Sequence, residues 1–332
     1  MLKCEEGYYS NIKGATSCII CPAGKISVYD RTKCINCSIG SYSSDPGSTY
    51  CTSCPQGTYA DKEGSISCTK CPAGSIPNFF GTGCRNCSKG YYSPIAGSNS
   101  CSKCIDGYYS DTVGSISCIE CPAGSIPNSG QTGCTECPAG YYSANAGSKY
   151  CYKCDDGFYS DITGATECIQ CPAGSISSSD RTKCNYCQKG YYTYAGSASC
   201  WQCPAATYSD TIGATECIQC PAGSVSSNDR TKCNYCQKGY YAYEGSTSCW
   251  QCPVATYSDT IGSSSCTNCP EGSISSNDRT QCNYCQKGYY AYAGSTSCWK
   301  CPDGTYSDAV GSSSCKQCPK GTSPNSARTE CQ

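Results

Sequence analysis

Residues 203–223 read CPAATYSDTIGATECIQCPAG and contain one full period of the pattern that decides the fold. Thirteen residues separate Cys203 from Cys217, and two residues separate Cys217 from Cys220. The same alternation of a long gap of twelve or thirteen residues with a short gap of two runs from Cys4 to Cys331 without an irregular step. Self-similarity at a short, fixed period is typical of a tandem repeat protein.

Reading each long gap as one unit divides the chain into 20 units that recur in threes. First-type units resemble C-x-x-G-Y-Y-S-D-x-x-G-S-x-x-C, second-type units resemble C-P-A-G-S-I-x-x-x-x-x-T-x-C, and third-type units are a more variable form of the first. We expect residues 4–153 to form three triplets with a 50-residue period and residues 154–331 to form later triplets with a 49-residue period. In the later triplets a tryptophan follows the third unit, as Trp201, Trp250 and Trp299.

The composition is poor in the apolar residues that form a hydrophobic core and rich in cysteine. Leu, Ile, Val and Phe together number 29 of 332 residues, whereas cysteine alone numbers 40. That cysteine content is typical of a disulfide scaffold. A formal net charge of −1 argues against nucleic acid, which needs a basic surface to neutralise its phosphates. The absence of histidine removes the usual general base and the usual Cys–His and Ser–His sites, so we expect no enzyme, no cofactor and no metal.

Cysteine usage also predicts the compartment. So many disulfides require an oxidising environment, which favours a secreted protein at the cell surface or outside the cell. No run of about 20 apolar residues exists, so no membrane insertion is expected. The start of the chain, Met1-Leu2-Lys3-Cys4, leaves no room for a signal peptide. We therefore expect a mature product or a piece of a longer secreted protein.

The spacing allows several arrangements of the cysteines, among them bonds within a C-x2-C segment, which would be small strained rings of the redox type. Pairing across each long gap uses all forty, whereas an interlaced scheme such as Cys18–Cys34 with Cys21–Cys37 leaves Cys4, Cys331 and one C-x2-C segment unused. Zinc would take the C-x2-C segments two at a time, and there are 19 of them. We favour the long-gap pairing, with the interlaced and zinc arrangements as alternatives. It joins Cys4 to Cys18, Cys21 to Cys34, Cys37 to Cys51, Cys54 to Cys68 and so on to Cys318 with Cys331.

Each unit reads as a short β-hairpin. A glycine three residues after the first cysteine, such as Gly7 or Gly24, predicts a turn, and a Tyr or Ile two residues later predicts a strand with that side chain buried and the intervening residue in water. No segment carries helix signals. We therefore predict a small disulfide-rich all-β fold, an elongated tandem array of about 20 disulfide-closed hairpins in which each unit contacts only its neighbours.

The segment Cys203–Gly223 resembles the growth-factor-receptor cysteine-rich repeat superfamily. It is most similar to the short Eph-receptor-like repeats and to the first module of tumour necrosis factor receptor repeats, with Ala206 at the position of the first glycine. Tandem arrays of this kind are similar to protist surface proteins. The resemblance implies a disulfide across each long gap, and it names a scaffold rather than a ligand.

Two sets of residues are candidates for function. Asn36 and Asn86 lie in N-x-S sequons and are candidate glycosylation sites, although a cysteine occupies the middle of each sequon. Eight aromatic residues occupy the position directly after the first glycine, where they either cover disulfides or form an exposed aromatic ladder for lateral association or for stacking on sugars. They are Tyr8, Tyr91, Tyr108, Tyr141, Phe158, Tyr191, Tyr240 and Tyr289. The three tryptophans are expected to pack at unit junctions.

Unbroken repetition without unique insertions favours an extracellular structural protein that forms a stiff rod or filament at a cell surface. Tyr9 and Ile26 near the start are ordinary packing residues, so no capping unit is evident and end-to-end self-association is expected. The alternative is a ligand-binding or adhesive receptor ectodomain fragment.

The disulfide arrangement is directly testable. Peptide mapping without reduction should recover Cys4–Cys18-type links with no free thiol, because the long-gap pairing consumes every cysteine. Reduction should abolish the fold, since 29 aliphatic and Phe residues cannot hold 332 together. Zinc bound at about one ion per four cysteines, the stoichiometry of tetrathiolate sites, would contradict this pairing.

Overall fold

Short hairpins, each closed by one disulfide, make up the computed structural model, which describes residues 3–332. Within that range the protein is all-β, with no helix and with 20 disulfides. Each disulfide spans one long gap, and its Cα–Cα distance is 5.6–5.8 Å, inside the ordinary range. We number the hairpins 1 to 20 in chain order, from Cys4–Cys18 to Cys318–Cys331. The predicted fold class is confirmed in its all-β, disulfide-closed tandem units.

Nineteen of the hairpins contain a two-stranded antiparallel sheet, and hairpin 20 has only a bridge between Pro324 and Cys331. The second strand of each sheet includes the two residues between consecutive units, so these residues are not mere linkers: Tyr8 pairs with Ile20 beyond Cys18.

The first nineteen strands are β1 (Tyr8–Tyr9), β2 (Ile19–Ile20), β3 (Lys25–Ser27), β4 (Cys34–Asn36), β5 (Ser41–Tyr42), β6 (Thr52–Ser53), β7 (Thr58–Tyr59), β8 (Thr69–Lys70), β9 (Ser75–Pro77), β10 (Cys84–Asn86), β11 (Tyr91–Tyr92), β12 (Ser102–Lys103), β13 (Tyr108–Tyr109), β14 (Ile119–Glu120), β15 (Ser125–Pro127), β16 (Cys134–Glu136), β17 (Tyr141–Tyr142), β18 (Tyr152–Lys153) and β19 (Phe158–Tyr159). The others are β20 (Ile169–Gln170), β21 (Ser175–Ser177), β22 (Cys184–Tyr186), β23 (Tyr191–Tyr192), β24 (Trp201–Gln202), β25 (Thr207–Tyr208), β26 (Ile218–Gln219), β27 (Ser224–Ser226), β28 (Cys233–Tyr235), β29 (Tyr240–Tyr241), β30 (Trp250–Gln251), β31 (Thr256–Tyr257), β32 (Thr267–Asn268), β33 (Ser273–Ser275), β34 (Cys282–Tyr284), β35 (Tyr289–Tyr290), β36 (Trp299–Lys300), β37 (Thr305–Tyr306) and β38 (Lys316–Gln317).

The buried interior consists of cystine and small residues rather than aliphatic side chains. The first cysteine of most hairpins is buried, as Cys21 and Cys37 show. A small residue six positions after it is usually buried as well in first- and third-type hairpins, for example Ser93 or Ala242. The strand tyrosines such as Tyr9 and Tyr59 are only half-buried. Disulfides and close backbone contacts therefore take the place of an aliphatic core.

The expected alternation of burial holds incompletely in the second-type hairpins. In hairpin 5 the predicted packing residue Ile76 is buried, but Ser75, which the alternation places in water, is buried too. The Ser75 hydroxyl donates a hydrogen bond of 2.8 Å to the Pro72 carbonyl, which satisfies it inside its own turn. A serine can occupy this buried position because its partner lies three residues away.

Backbone hydrogen bonds join consecutive hairpins. Between hairpins 2 and 3, Gly24 N–H donates to the Ser43 carbonyl at 2.9 Å and Cys37 N–H donates to the Gly24 carbonyl at 2.8 Å. Gly47 N–H, from the second turn of hairpin 3, donates to the Cys21 carbonyl at 2.8 Å. Equivalent sets recur wherever a third-type hairpin follows a second-type one, so the stacking of these units does not depend on side-chain identity.

Many hairpins also approach the next but one, which the sequence did not predict. The first glycine of hairpin 2, Gly24, has φ +83°, and a Cβ placed on it would lie 2.1 Å from the Gly64 carbonyl oxygen of hairpin 4. In hairpin 11, Gly174 approaches Gly213 of hairpin 13 in the same way, at 2.0 Å. The expectation that each unit contacts only its neighbours is therefore wrong, because the hairpins are thin enough for their turns to meet across the intervening one.

The hairpins group into two units. The first unit comprises the described residues up to Cys154 together with the separate segment Tyr159–Ile169. The other comprises Asp155–Phe158 and Gln170–Gln332. In both units the N–H of a hairpin's first cysteine donates to the carbonyl at the first turn of the preceding hairpin, as Cys37 does to Gly24.

A glycine substitution tests the contact between next-but-one hairpins. Gly174→Ala should lower stability by more than the roughly 1–2 kcal/mol that a left-handed backbone costs an L-residue, because its methyl group would also meet the Gly213 carbonyl. The matched control is Gly321→Ala at the same position of hairpin 20, where φ is +93° and nothing lies within 4 Å. Thermal unfolding of the two variants should show the larger loss for Gly174→Ala. Equal losses would mean that this contact contributes nothing.

Candidate binding surface

No catalytic constellation is visible among residues 3–332. That part of the chain holds no group of three or more His, Cys, Asp or Glu side chains placed to bind a metal ion. Nor does it contain a helix that is long and apolar enough to cross a membrane. Four sets of side chains stand out on the surface of the hairpins.

The first set is the eight-residue aromatic ladder predicted from the sequence. Four of its members are half-buried, and the other four, Tyr91, Tyr191, Tyr240 and Tyr289, are 37–39 % exposed. Most of them pair across their sheet with a long polar side chain, as Tyr108 does with Glu120, to which its hydroxyl donates at 3.3 Å. Within the described residues no ring contact joins two of the eight. The structure thus presents them one by one rather than as a continuous stack.

The second set is a triad of aromatic rings that the sequence did not predict. In hairpin 12 the Trp201 ring centroid lies 5.9 Å from Tyr192 and 5.8 Å from Tyr194. The tryptophans were expected at unit junctions, whereas they pack on tyrosines of their own hairpin and stay 41–43 % exposed. The sequence feature that could have predicted these triads is the Tyr-x-Tyr spacing before each tryptophan. The other two triads are Tyr241, Tyr243 and Trp250, and Tyr290, Tyr292 and Trp299.

The third set lines a cleft where hairpin 17 meets hairpin 18. Its volume is about 250 Å³, and its lining includes Asn283, Tyr284, Gln286 and Tyr289. Ile274 and the disulfide cysteines Cys285 and Cys298 complete the lining. We call this feature the amide–tyrosine cleft. The sequence analysis singled out Tyr289 but missed the other three polar and aromatic members, which come from the recurring segment N-Y-C-Q-K-G-Y.

The fourth set is the two sequon asparagines. Asn36 and Asn86 are exposed and end strands β4 and β10, where they pair with Lys25 and Ser75. The middle residue of each sequon is a buried disulfide cysteine. A Cβ on Gly64 would lie 3.3 Å from the Asn36 side-chain oxygen, so that amide rests on the second turn of hairpin 4. Glycosylation at these two positions stays a prediction.

Charged side chains reinforce particular turns. Arg31, which has φ +57°, donates to the Cys4 carbonyl and lies 3.5 Å from a Glu6 carboxylate oxygen. The equivalent Arg181 and Arg328 pair with Asp156 and Asp303. These exposed ion pairs are worth little on their own, so their role is to orient the arginine over the preceding hairpin.

The turn of hairpin 11 holds a carboxylate with a perturbed pKa. Ser178 Oγ donates to Asp180 Oδ1 at 2.5 Å, and the N–H and hydroxyl of Thr182 donate to the same oxygen at 3.1 and 2.9 Å. Hydrogen bonds to the charged form stabilise it, with the Ser178 hydroxyl contributing most, and they lower the pKa of Asp180 from 3.8 to about 2. Ser227 and Ser276 lower the pKa of Asp229 and Asp278 in the same way.

Comparison with known families identifies the repeat. The model of the tyrosine-protein kinase ephrin type A/B receptor-like family matches the chain seven times, and these matches cover most of it. The matched residues are 40–82, 90–126, 124–171, 174–215, 190–229, 239–278 and 288–331. No curated protein matches the chain at a significant level.

Titration of Asp180 tests the turn. Replacing Ser178 with Val, the residue that hairpin 2 carries as Val28, removes the largest cause of the shift and should raise the pKa of Asp180 from about 2 toward 3.8. A lowered folded pKa stabilises the protein above the unfolded pKa, and this contribution is lost as the pH falls through the folded pKa. The wild-type turn should therefore stay ordered at pH 3 and loosen near pH 2.

Carboxyl NMR shifts recorded from pH 5 to pH 1.5 would measure both proteins. Ser160→Ala is the control, because Ser160 Oγ donates to the Ile162 carbonyl rather than to a carboxylate. An unchanged Asp180 titration in Ser178→Val would show that Thr182 alone sets the pKa.

Proposed function

The chain belongs to the tyrosine-protein kinase ephrin type A/B receptor-like repeat family, and from this premise we propose that it is an extracellular structural protein whose hairpins form a stiff rod or filament at a cell surface. Repeats of this family are a non-catalytic, receptor-ectodomain type, and twenty disulfides are consistent with an extracellular location. The proposed function involves no enzymatic activity and needs no cofactor. Its interactions are with further copies of itself and with glycans.

Stiffness is supported by the double contact between hairpins. Within each unit a hairpin is hydrogen-bonded through its backbone to the next, and many hairpins also approach the next but one, as Gly24 does with Ser43 and Gly64. Bending at one junction would break contacts at two levels, because a hairpin cannot tilt on its neighbour without moving against the one beyond. This repeated double contact is the observation that carries the proposal.

End-to-end association would join a face of hairpin 1 to a face of hairpin 20 in another copy. A cavity of about 770 Å³ at hairpin 1 is lined by Ser10, Gly14 and Ala15 among others. In later hairpins the residues at these positions bond to the preceding hairpin: the Ser43 carbonyl accepts from Gly24 and Gly47 N–H donates to Cys21. Hairpin 20 presents the matching partners, the Gly321 N–H and the Cys318 carbonyl. We propose that the two faces of successive copies join in this register.

Because hairpin 1 has the same length up to the second turn as the third-type hairpins of the first three triplets, the proposed junction keeps the hydrogen-bond pattern of those triplets. Second-type hairpin 20 would then bond to first-type hairpin 1 as second-type hairpins bond to third-type ones. A contact between unlike faces that does not close into a ring extends as a filament.

A ligand-binding or adhesive ectodomain is the second candidate function. The specific observation in its favour is the family itself, whose model describes a receptor-like extracellular repeat. The exposed aromatic side chains of hairpins 12, 15 and 18 supply surface that the packing of the hairpins leaves free. The two candidate functions share the same scaffold. They differ in what binds to the side of the array.

Assembly can be tested at the face of hairpin 1. The 332-residue chain, secreted with its disulfides intact, should sediment as a species that grows with concentration, and electron microscopy should show filaments. Ala15→Arg should abolish growth, because the long cation would stand in the proposed junction. The control is Ala15→Ser, the residue that hairpins 4 and 7 carry as Ser65 and Ser115. A monodisperse monomer of the wild-type chain at high concentration would contradict assembly.

A further inference from the structure

The residues of the amide–tyrosine cleft recur at three places in the chain. Its members at hairpins 17 and 18 have counterparts with the same residue types one and two triplets earlier. The flanking tyrosines are equally exposed in all three, at 61–62 % for the first and 37–38 % for the second. The counterparts are Asn185, Tyr186, Gln188 and Tyr191, and Asn234, Tyr235, Gln237 and Tyr240.

The first tyrosine of each cleft is held in a defined orientation. Tyr284 lies against Gly311, where an added Cβ would stand 2.8 Å from the Tyr284 Cδ1 atom. Tyr186 and Tyr235 have the same 2.8 Å relation to Gly213 and Gly262. One edge of each ring therefore rests on a turn two hairpins away, while most of the ring surface faces solvent.

The fold does not require an aromatic residue at this position. In the first two triplets Asn36 and Asn86 make the equivalent contact with Gly64 and Gly114, and Glu136 makes it with Gly164 in the third. An amide or a carboxylate thus packs on the turn as well as a tyrosine does. The packing of the hairpins does not require the exposed rings of the later triplets, which points to a role of these rings in binding.

The chemistry of the cleft selects the class of ligand. Two aromatic side chains offer flat apolar surface with a polar hydroxyl, and two neutral amides offer donors and acceptors in pairs. None of the lining residues Ile274, Asn283, Tyr284, Gln286 and Tyr289 carries a charge. A sugar ring matches this set, because its C–H face stacks on aromatic rings and its hydroxyls bond to amides. An anionic polymer would need cations that the lining does not provide.

Three equal clefts in one chain fit a ligand that itself repeats. We propose that the three amide–tyrosine clefts bind a neutral polysaccharide, each cleft taking a sugar ring of the polymer. Several weak sites that engage one polymer act together through effective concentration, so the loss of one site weakens binding by more than a third. The proposal is independent of end-to-end assembly, since the clefts lie on the hairpins and not on the terminal faces.

The chain itself supplies fold-compatible substitutions. The triple variant Tyr186→Asn, Tyr235→Asn and Tyr284→Asn introduces at each cleft the residue that Asn36 and Asn86 already show to be tolerated. The control is Phe79→Ser, which removes a fully exposed aromatic residue outside the clefts and introduces the residue that hairpin 8 carries as Ser129. Non-reducing peptide maps and circular dichroism would verify that all variants keep their disulfides and strands.

Affinity electrophoresis in gels containing laminarin, mannan or galactan, with heparin as the anionic comparison, measures binding. Wild-type chain and Phe79→Ser should be retarded by at least one neutral polysaccharide. Single Tyr→Asn variants should bind about tenfold more weakly or worse, given that avidity commonly multiplies affinity by 10² or more, and the triple variant should migrate freely.

Three outcomes would overturn the proposal: no retardation by any of the neutral polysaccharides, equal retardation of the triple variant, or retardation by heparin alone. Repeating the measurement in the Ala15→Arg background separates this result from assembly. Retardation that persists there supports the clefts whether or not filaments form, and retardation that disappears there assigns it to the assembled array instead.

Discussion

The close approach of backbones across hairpins is the constraint on which this structure depends. Gly174 has both a left-handed φ and a carbonyl of hairpin 13 where its side chain would be, so only a residue without Cβ fits there freely. The chain departs from this rule at Ala206 and Ala255, which keep φ values of 71° and 72°. In the corresponding turns two hairpins later, Gly245 N–H and Gly294 N–H lie 3.2 and 3.1 Å from their carbonyl partners, compared with 2.8 Å for Gly47.

Disulfides and backbone hydrogen bonds together stabilise the fold in the absence of an aliphatic core. The disulfide holds the two ends of a hairpin together and limits the freedom of the unfolded chain, in amounts of about 3 kcal/mol for a loop of this size in the loop-closure model. The hydrogen bonds between hairpins then set the stacking. Because most of these bonds involve backbone atoms, side chains that point outward are free to differ from triplet to triplet without loss of the scaffold.

That freedom explains where function can reside. Asn36, Glu136 and Tyr284 occupy equivalent positions, each resting on a glycine turn two hairpins later, and each gives the surface a different character. The later triplets carry both the aromatic triads and the amide–tyrosine clefts. A uniform scaffold with local variation of this kind suits either a decorated structural rod or a receptor ectodomain, and the side chains rather than the fold distinguish them.

The sequence by itself determined the all-β tandem array, because the repeated cysteine spacing defines the units and the turn and strand pattern inside each unit makes it a hairpin. The glycine position determined the turn that starts each strand. Neither the cysteine spacing nor the glycine position could show that Gly24 approaches Gly64, because the pattern within one unit carries no information about the distance to the unit after next. The tertiary structure alone brought Tyr284, Asn283 and Tyr289 to one cleft and placed Trp299 on Tyr290 and Tyr292. The side on which a side chain emerges, and what it then meets, depends on how successive hairpins are rotated, and that rotation is set by contacts between units rather than by the pattern within one.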